Sequence, residues 1–166
     1  MESKNKTQII AKPEKQEFFI IREFDAPREL VFKAFNEPEL IVQWMSGPNE
    51  MDMKIEKLDN QTHGSYRYVH SDKNGNNFVF NGTIHEIANP ERIIRTFEFE
   101  GMPEKGHVVL EFLNLEDIGN QRTKLIAQSI FKSVADRDGM INSGMESGVV
   151  ESYNKLDTLL KTLNIN

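Results

Sequence analysis

The sequence predicts an α+β fold in which a strongly curved antiparallel β-sheet wraps around one long C-terminal α-helix. Three observations lead to this fold class. The C-terminal segment carries an apolar stripe of helical period, the middle of the chain alternates with the period of β-strands between turn signals, and two short helical segments follow the first strand. A curved sheet cannot meet a straight helix along its whole width, so we expect a cavity between the two.

The first strand and two short helices are predicted at the start of the domain. Residues 17–25 are rich in β-branched and aromatic side chains, which favours a strand. Asp25 and Pro27 stand where a helix cap and a first-turn proline belong, and apolar residues recur at helical spacing as far as Phe35. After a proline interrupts this helix, a second short helix is predicted over residues 39–44.

A meander of strands is predicted next. Apolar and polar residues alternate in several segments, and Asn74-Gly75 between two of them favours a tight hairpin because both residues tolerate positive φ. Hairpins at this spacing give an antiparallel sheet with one buried face, which is the partner that the C-terminal helix needs. The predicted strands cover residues 51–58, 65–70, 77–88, 92–100, 107–116 and 123–132.

The predicted C-terminal helix runs over residues 136–163. Its polar residues, among them Glu151, Lys155 and Asp157, are assigned to the solvent face. Fully burying the opposite face contributes on the order of 10 kcal/mol, as an upper bound. That face consists of side chains spaced three or four residues apart: Met145, Val149, Tyr153, Leu156, Leu160 and Leu163.

The first half of this predicted helix contains three glycines, which are unfavourable inside a helix. Gly139, Gly144 and Gly148 each cost about 1 kcal/mol relative to alanine in a helix interior. One explanation is close packing of the helix on the sheet, or fraying at the start of the helix. The other is that the missing side chains leave room beneath the helix for a ligand.

The length of 166 residues fits a single domain, which we assign to residues 16–166. Residues 1–15 carry four lysines against two glutamates and are predicted to form a disordered tail. The net charge of the chain is −6, and an acidic body argues against nucleic-acid binding, which depends on clustered lysine and arginine. The sequence lacks an apolar run long enough for a membrane span or a signal peptide. We therefore expect a cytoplasmic protein without a membrane partner, either a monomer or a weak homodimer.

The absence of cysteine excludes disulfides, thiolate metal sites and cysteine nucleophiles. The four histidines are isolated, without the i, i+4 pairing of a helical zinc site, and nucleotide-binding glycine motifs are absent. We therefore predict no metal and no cofactor. His85 lies mid-strand among apolar residues. It faces either the interior, where it would serve as a general acid or base, or solvent, depending on the strand register near Gly82.

Several separated segments resemble one known family. Residues 25–44, DAPRELVFKAFNEPELIVQW, followed by Gly47-Pro48, are similar to the opening signature of the START-like (SRPBCC) superfamily, in the branch named for the C-terminal domain of the activator of Hsp90 ATPase. The resemblance covers residues 17–163. It does not include the separate N-terminal domain of the eukaryotic chaperone activators, so direct Hsp90 regulation is not expected. Four more segments agree in order: residues 64–67, 80–87, 89–93 and 144–156.

The resemblance implies a helix-grip fold with a deep, mostly apolar pocket between the sheet and the C-terminal helix. Relatives commonly carry a second tryptophan where this chain has Val149. Tyrosine hydroxyls and Arg67 or Arg95 would supply polar anchors, unless these arginines pair with strand acids such as Glu98. Aromatic and methionine side chains dominate the candidate pocket residues: Trp44, Tyr66, Tyr68, His85, Phe97, Phe112, Phe131, Met140, Met145 and Val149.

The leading functional hypothesis is a cytoplasmic, non-enzymatic protein that binds a small hydrophobic, aromatic or lipid-like molecule. Two alternatives remain open. One is an enzyme of the aromatase or cyclase kind, with His85 or a tyrosine as general acid or base, which requires polar groups inside the pocket. The other is a chaperone-associated stress protein of the Hsp90-activator type, which requires an exposed apolar patch.

Overall fold

The structure, a computed structural model, describes residues 5–47 and 51–165 and confirms the predicted fold class. Within that part of the chain, one eight-stranded antiparallel sheet curves around a long C-terminal helix, the helix-grip arrangement. The elements are β1 (Gln8–Ile10), β2 (Glu17–Phe24), α1 (Arg28–Asn36), α2 (Pro38–Trp44), β3 (Asp52–Leu58), β4 (Ser65–Ser71), β5 (Asn77–Ala88), β6 (Arg92–Phe99), β7 (Val108–Gly119), β8 (Arg122–Ile130), α3 (Val134–Asn142) and α4 (Met145–Leu163).

The order of strands across the sheet is β1-β2-β8-β7-β6-β5-β4-β3. Strands β3 to β8 therefore form the predicted meander, and β2 pairs with β8 in an uninterrupted antiparallel register. The predicted hairpin between β4 and β5 is present. Its turn is held by the Asp72 carboxylate, which accepts hydrogen bonds from the backbone N–H groups of Asn74 and Asn76 at 2.9 Å, while Gly75 has a positive φ of 82°.

The prediction of a disordered tail over residues 1–15 is wrong for its middle part. Residues Gln8–Ile10 form β1, which pairs antiparallel with β2 and places Ile9 opposite Ile20. Without β1, the edge of β2 would present unpaired backbone groups, and a short apolar segment nearby in the chain satisfies them. Residues 1–4 of the predicted tail, Pro48 of the family signature and residue 166 lie outside the residues that the structure describes.

The prediction of one continuous helix over residues 136–163 is also wrong. The helix is divided into α3 and α4 at Gly144, which has a left-handed backbone with φ of 83° and stands at the N-cap of α4. Glycine adopts this conformation without a steric cost. α3 begins after Ser133, whose side-chain oxygen accepts a hydrogen bond from the Asp136 N–H at 3.0 Å.

The second half of α4 packs into the main hydrophobic core. Leu156 and Leu160 are almost completely buried, together with apolar side chains from β2, α1, α2 and β8. Trp44 at the end of α2 closes this core, because its indole Nε1 donates to the backbone oxygen of Ala34 at 2.9 Å and its ring packs edge-on against Phe35. The two short helices therefore pack against α4 and help to fix its position.

An ion pair between Arg22 and Asp157 lies inside the core. Asp157 is only 5% exposed, which corrects its assignment to the solvent face of the helix, and Arg22 is 1% exposed. The guanidinium binds the Asp157 carboxylate and also donates to Asn154 Oδ1 at 3.1 Å and Thr7 Oγ1 at 2.9 Å. Alternation along β2 places Arg22 on the concave face beside Phe24, so the strand directs a cation towards the helix.

In the described part of the chain, the helices all fall short of the length and apolar character that a membrane crossing requires.

Replacing Asp157 by alanine is expected to destabilise the fold strongly, because it leaves the Arg22 guanidinium buried without its counter-ion. Breaking a buried pair in this way costs about 3–5 kcal/mol. The matched control is Glu151→Ala on the same helix, which removes an exposed i, i+4 pair with Lys155 at 3.6 Å and is expected to cost about 0.5 kcal/mol or less. Urea unfolding of both variants measures the difference, and similar losses would contradict the assignment of Arg22–Asp157 as a core interaction.

Candidate ligand-binding cavity

A cavity of about 370 Å³ lies between the concave face of the sheet and α4. Its volume falls within the range of about 300–1,000 Å³ that small-molecule pockets occupy. The sheet contributes one wall, and α3 with the first half of α4 contributes the other. The residues that line the helical wall are Met140, Met145, Gly148, Val149, Ser152 and Tyr153.

Side chains of the sheet line the cavity in rows that run across neighbouring strands. Residues that pair across antiparallel strands share a face, so a row of partners forms one band of the wall. An apolar band runs from β2 through β8 and β7 to β6: Ile20, Ala127, Leu113 and Ile93. The adjacent band follows the same strands and consists of Phe18 on β2 and three polar residues, Ser129, Glu111 and Arg95.

Arg95 and Glu111 form an ion pair within this polar band. Arg95 Nε donates to Glu111 Oε2 at 3.1 Å, and the two side chains keep 22% and 27% of their surface accessible although they line an interior cavity. The guanidinium carbon lies 5.0 Å from the centre of the Tyr66 ring, a cation–π distance. Burial acts to lower the pKa of Arg95, but Tyr66, Glu111 and Tyr68 raise it above its ordinary value. Arg95 is therefore a fixed cation.

Tyr66 is positioned by a glycine on the neighbouring strand. Gly82 is its cross-strand partner, and the Tyr66 hydroxyl crosses β5 to donate to the backbone oxygen of Thr96 on β6 at 2.6 Å. A Cβ atom at Gly82 would lie 1.9 Å from that oxygen and 2.6 Å from the Tyr66 side chain, so another residue does not fit without displacement. Burial raises the pKa of Tyr66, and the hydroxyl stays protonated as a donor.

His70 lines the cavity near the loop that follows α2. Its ring packs against Phe80 at 5.1 Å between centroids, and burial lowers its pKa below the ordinary value of 6.5. Gly47 stands next to it in the loop, and Lys155 Nζ of α4 donates to the Gly47 backbone oxygen at 2.8 Å. The loop is therefore attached to the helix at this end of the cavity.

The structure brings together all but one of the predicted pocket residues. His85 is the exception: it is exposed beside a break in the β5–β6 register, and the neighbouring Ile84 takes the buried position. The interpretation of His85 as an inward-facing acid or base is therefore wrong, because alternation about Ile84 turns it outward. Whether the remaining residues bind a ligand stays a prediction. The cavity lining includes Trp44, Tyr66, Tyr68, Phe97, Phe112, Phe131, Met140, Met145 and Val149.

The two arginines considered as polar anchors have different environments. Arg95 lines the cavity, whereas Arg67 pairs on the outer face of the sheet with Glu56 and, at 2.8 Å, with Glu100. Both arginines thus pair with strand acids, as the alternative interpretation allowed, although the partner of Arg95 is Glu111.

Sequence reasoning did not find Glu111, Ser129 or His70. The signal was available in the strand period, because Glu111 alternates with Val109 and Leu113, which the cavity also contacts. His70 similarly follows Tyr66 and Tyr68 at every second position. The sequence-based choice of pocket residues rests on aromatic and methionine content, which does not select polar residues at inward positions.

Of the three glycines in the helical wall, Gly148 lines the cavity. A Cβ atom at Gly139 or Gly144 would meet open space, so neither close packing nor space for a ligand accounts for these two residues. Gly144 is explained by the break between the helices, since its φ is 83°. Among the described residues, groups of three or more histidine and acidic side chains that could hold a metal ion are absent.

Comparison with known proteins identifies related sequences and folds. A family model described as Activator of Hsp90 ATPase homolog 1-like protein matches residues 25–161. A comparison with curated proteins found no match.

Solved structures share the fold at low sequence identity. A solution structure of a protein from Arthrobacter aurescens aligns with a TM-score of 0.83 and 23% identity over 93% of this chain and 91% of that chain. A crystal structure from Rhodobacter sphaeroides aligns with a TM-score of 0.85 and 22% identity over 95% and 99% of the two chains. A solution structure of a protein from Staphylococcus epidermidis aligns with a TM-score of 0.80 and 22% identity over 93% of this chain and 93% of that chain.

Substituting Gly82 by alanine is expected to destabilise the fold by at least about 2 kcal/mol, because the new methyl group overlaps the Thr96 backbone and the Tyr66 ring. The same substitution at Gly139, which lies in α3 with open space around it, is expected to stabilise by up to about 1 kcal/mol. Chemical denaturation of the two variants measures the change in unfolding free energy, which should fall for Gly82→Ala and rise for Gly139→Ala. Equal and small effects would show that Tyr66 does not depend on Gly82.

Acidification is expected to destabilise the protein in part through His70. Because burial lowers the folded-state pKa of His70 below 6.5, the unfolded chain takes up a proton at higher pH than the folded protein. The stability contribution is complete above the unfolded pKa and is lost as pH falls through 6.5 towards the folded pKa. His70→Phe should therefore lose less unfolding free energy than the wild type between pH 7.5 and 5.5, values chosen as roughly one unit either side of the ordinary histidine pKa.

Urea unfolding at a series of pH values measures this difference. At alkaline pH, where His70 is neutral in both the folded and the unfolded state, the unfolding free energies of the wild type and His70→Phe should differ by a constant amount. Parallel curves down to the acidic end would contradict a buried neutral imidazole.

Proposed function

We propose that this chain, which belongs to the family of Activator of Hsp90 ATPase homolog 1-like proteins, binds a small hydrophobic molecule, aromatic or lipid-like, in the cavity beneath α4. The observation that carries this proposal is the cavity of about 370 Å³ inside the fold, lined mainly by aromatic and aliphatic side chains. Pockets of this kind, with a few polar groups among apolar walls, are typical of small-molecule sites.

The composition of the wall supports an aromatic or otherwise flat apolar ligand. Trp44, Phe97 and Phe131 offer ring surfaces, and Met140 and Met145 on the helical wall adapt their shape to different ligands. The small residues Gly148 and Ala127 on opposite walls leave the space between the helix and the sheet open.

A second candidate function, an enzyme of the aromatase or cyclase kind, is favoured by the polar band within the same cavity. Such an enzyme needs proton-transfer groups inside the pocket, and Glu111 and Tyr68 line the cavity, with the Arg95 cation beside Glu111. His85, the original candidate for this role, lies outside. If the protein is an enzyme, we expect the role of general base to fall to Glu111.

A chaperone-associated role receives less support. It requires a contiguous exposed apolar patch. The exposed large apolar residues of the described chain are instead distributed over β1, the loop between β6 and β7, the two ends of β7 and the C-terminus: Ile10, Met102, Val108, Ile118 and Ile165.

Thermal unfolding in the presence of lipids, flavonoids and polyketide-like aromatic compounds tests the binding proposal, because a ligand that binds only the folded state raises the unfolding temperature. We expect at least one compound to raise it for the wild type. Ala127→Phe, which places a ring in the cavity, should abolish the rise. The matched control Ala135→Phe, at an exposed position of α3, should retain it.

A rise that persists in Ala127→Phe would place the binding elsewhere, and no rise with any compound would contradict the proposal. Mass spectrometry of the same incubations separates the two candidate functions, since a binding protein returns each compound unchanged and an enzyme yields a cyclised or dehydrated product.

A further inference from the structure

We propose that the cavity selects uncharged ligands that carry a hydroxyl or similar hydrogen-bonding group, and that it discriminates against carboxylates. This inference deepens the proposed function and rests on it. It is drawn from the way the cation of the cavity is paired.

The cavity carries both signs of charge in direct contact. Among the described residues that line it, Arg95 and Glu111 are the ionised side chains, and they are cross-strand partners joined at 3.1 Å. His70 also lines the cavity, but burial favours its neutral form. The net charge of the lining is therefore close to zero, and Arg95 does not act as an isolated anchor for an anion.

A charged ligand gains little from this pair. A carboxylate that approaches Arg95 also approaches Glu111, so attraction and repulsion largely cancel, while the cost of removing the carboxylate from water remains. An ammonium group meets the same cancellation with the signs reversed. The face of the Tyr66 ring, which would attract a ligand cation, already holds the Arg95 guanidinium at 5.0 Å.

A neutral hydroxyl on a ligand, in contrast, can form hydrogen bonds with polar groups of the cavity wall. The Glu111 carboxylate offers about four acceptor positions, of which Arg95 Nε uses one. Ser129, the cross-strand partner of Glu111 on β8, adds a hydroxyl to the same band. Because 27% of the Glu111 side chain stays accessible, a ligand hydroxyl can donate a hydrogen bond to its carboxylate. The apolar band on the same wall contacts the hydrocarbon part of the ligand.

The fold distinguishes this pair from the ion pairs on the outside of the sheet. Arg92 and Glu86 are joined at 2.6 Å on β6 and β5, and both side chains stand in solvent at 42% and 36% exposure. That pair provides a matched control with the same chemistry, which shares strand β6 with the cavity pair but has no access to the cavity.

Isothermal titration at neutral pH with four naphthalene compounds tests the proposal. The probes are naphthalene, 2-naphthol, 2-naphthamide and 2-naphthoate, of which the amide and the carboxylate share one shape. We expect 2-naphthol to bind about tenfold more tightly than naphthalene, as one hydrogen bond to a charged group provides. We expect 2-naphthamide to bind at least about tenfold more tightly than 2-naphthoate.

Three variants assign this preference to the pair. Glu111→Gln leaves Arg95 without its counter-ion, so the amide-to-carboxylate ratio of affinities should fall by about tenfold or more. The double variant Arg95→Gln/Glu111→Gln removes both charges and should restore the preference for the amide. Glu86→Gln should leave all four affinities unchanged. Circular dichroism and thermal unfolding verify that each variant is folded.

The outcomes separate this inference from the function on which it rests. If none of the four compounds binds, the selectivity is contradicted, and the thermal-unfolding panel of lipids, flavonoids and polyketide-like compounds decides the proposed function separately. If the compounds bind but 2-naphthoate equals or exceeds 2-naphthamide in the wild type, the cavity binds ligands and the selectivity is wrong. An unchanged ratio in a folded Glu111→Gln variant also overturns it, and the wild-type comparison decides the question if that variant does not fold.

Discussion

The buried ion pair between Arg22 and Asp157 is the constraint on which the position of α4 depends. It joins the inner face of β2 to the second half of the helix, where Leu156 and Leu160 are enclosed by the core. The first half of the helix, from Met145 to Ser152, faces the cavity instead. The helix is therefore fixed to the sheet over its last turns and stands away from it over its first turns, and the cavity is the space that this difference leaves.

Two arginine–carboxylate pairs on the concave face have different consequences. Arg22–Asp157 is nearly inaccessible and is surrounded by core side chains, so its charges are satisfied within the protein. Arg95–Glu111 keeps part of its surface open to the cavity. The second pair therefore keeps polar atoms within reach of a molecule in the cavity, whereas the first pair is enclosed by the core. The same chemistry thus lies within the core at one end of the sheet and lines the cavity in the middle of it, where we propose that it sets the ligand preference.

Much of the fold followed from local patterns, because strand alternation and turn residues act within a few positions of one another. The meander and the two short helices were predicted close to their observed bounds. The errors arose where a distant partner decides the outcome. The helical pattern assigns Asp157 to solvent because its cation, Arg22, lies far away in the sequence, on the first long strand. The sequence does not predict β1, because that strand is stabilised by the edge of β2. In the cavity, aromatic residues were found by composition, whereas Glu111 and Ser129 were not, since only the register places these polar residues on the inner face.

The break at Gly144 separates two segments that we expect to differ in local stability. α3 and the first turns of α4 contribute cavity wall, whereas the last turns of α4 contribute core. Regions with few buried apolar contacts open at a lower free energy than the cooperative core of a protein. A left-handed glycine between the helices lets the two segments reorient with little backbone strain. If ligands bind in the cavity as proposed, we expect their entry and exit to be local events of the helical wall, at a rate set independently of the global unfolding of the domain.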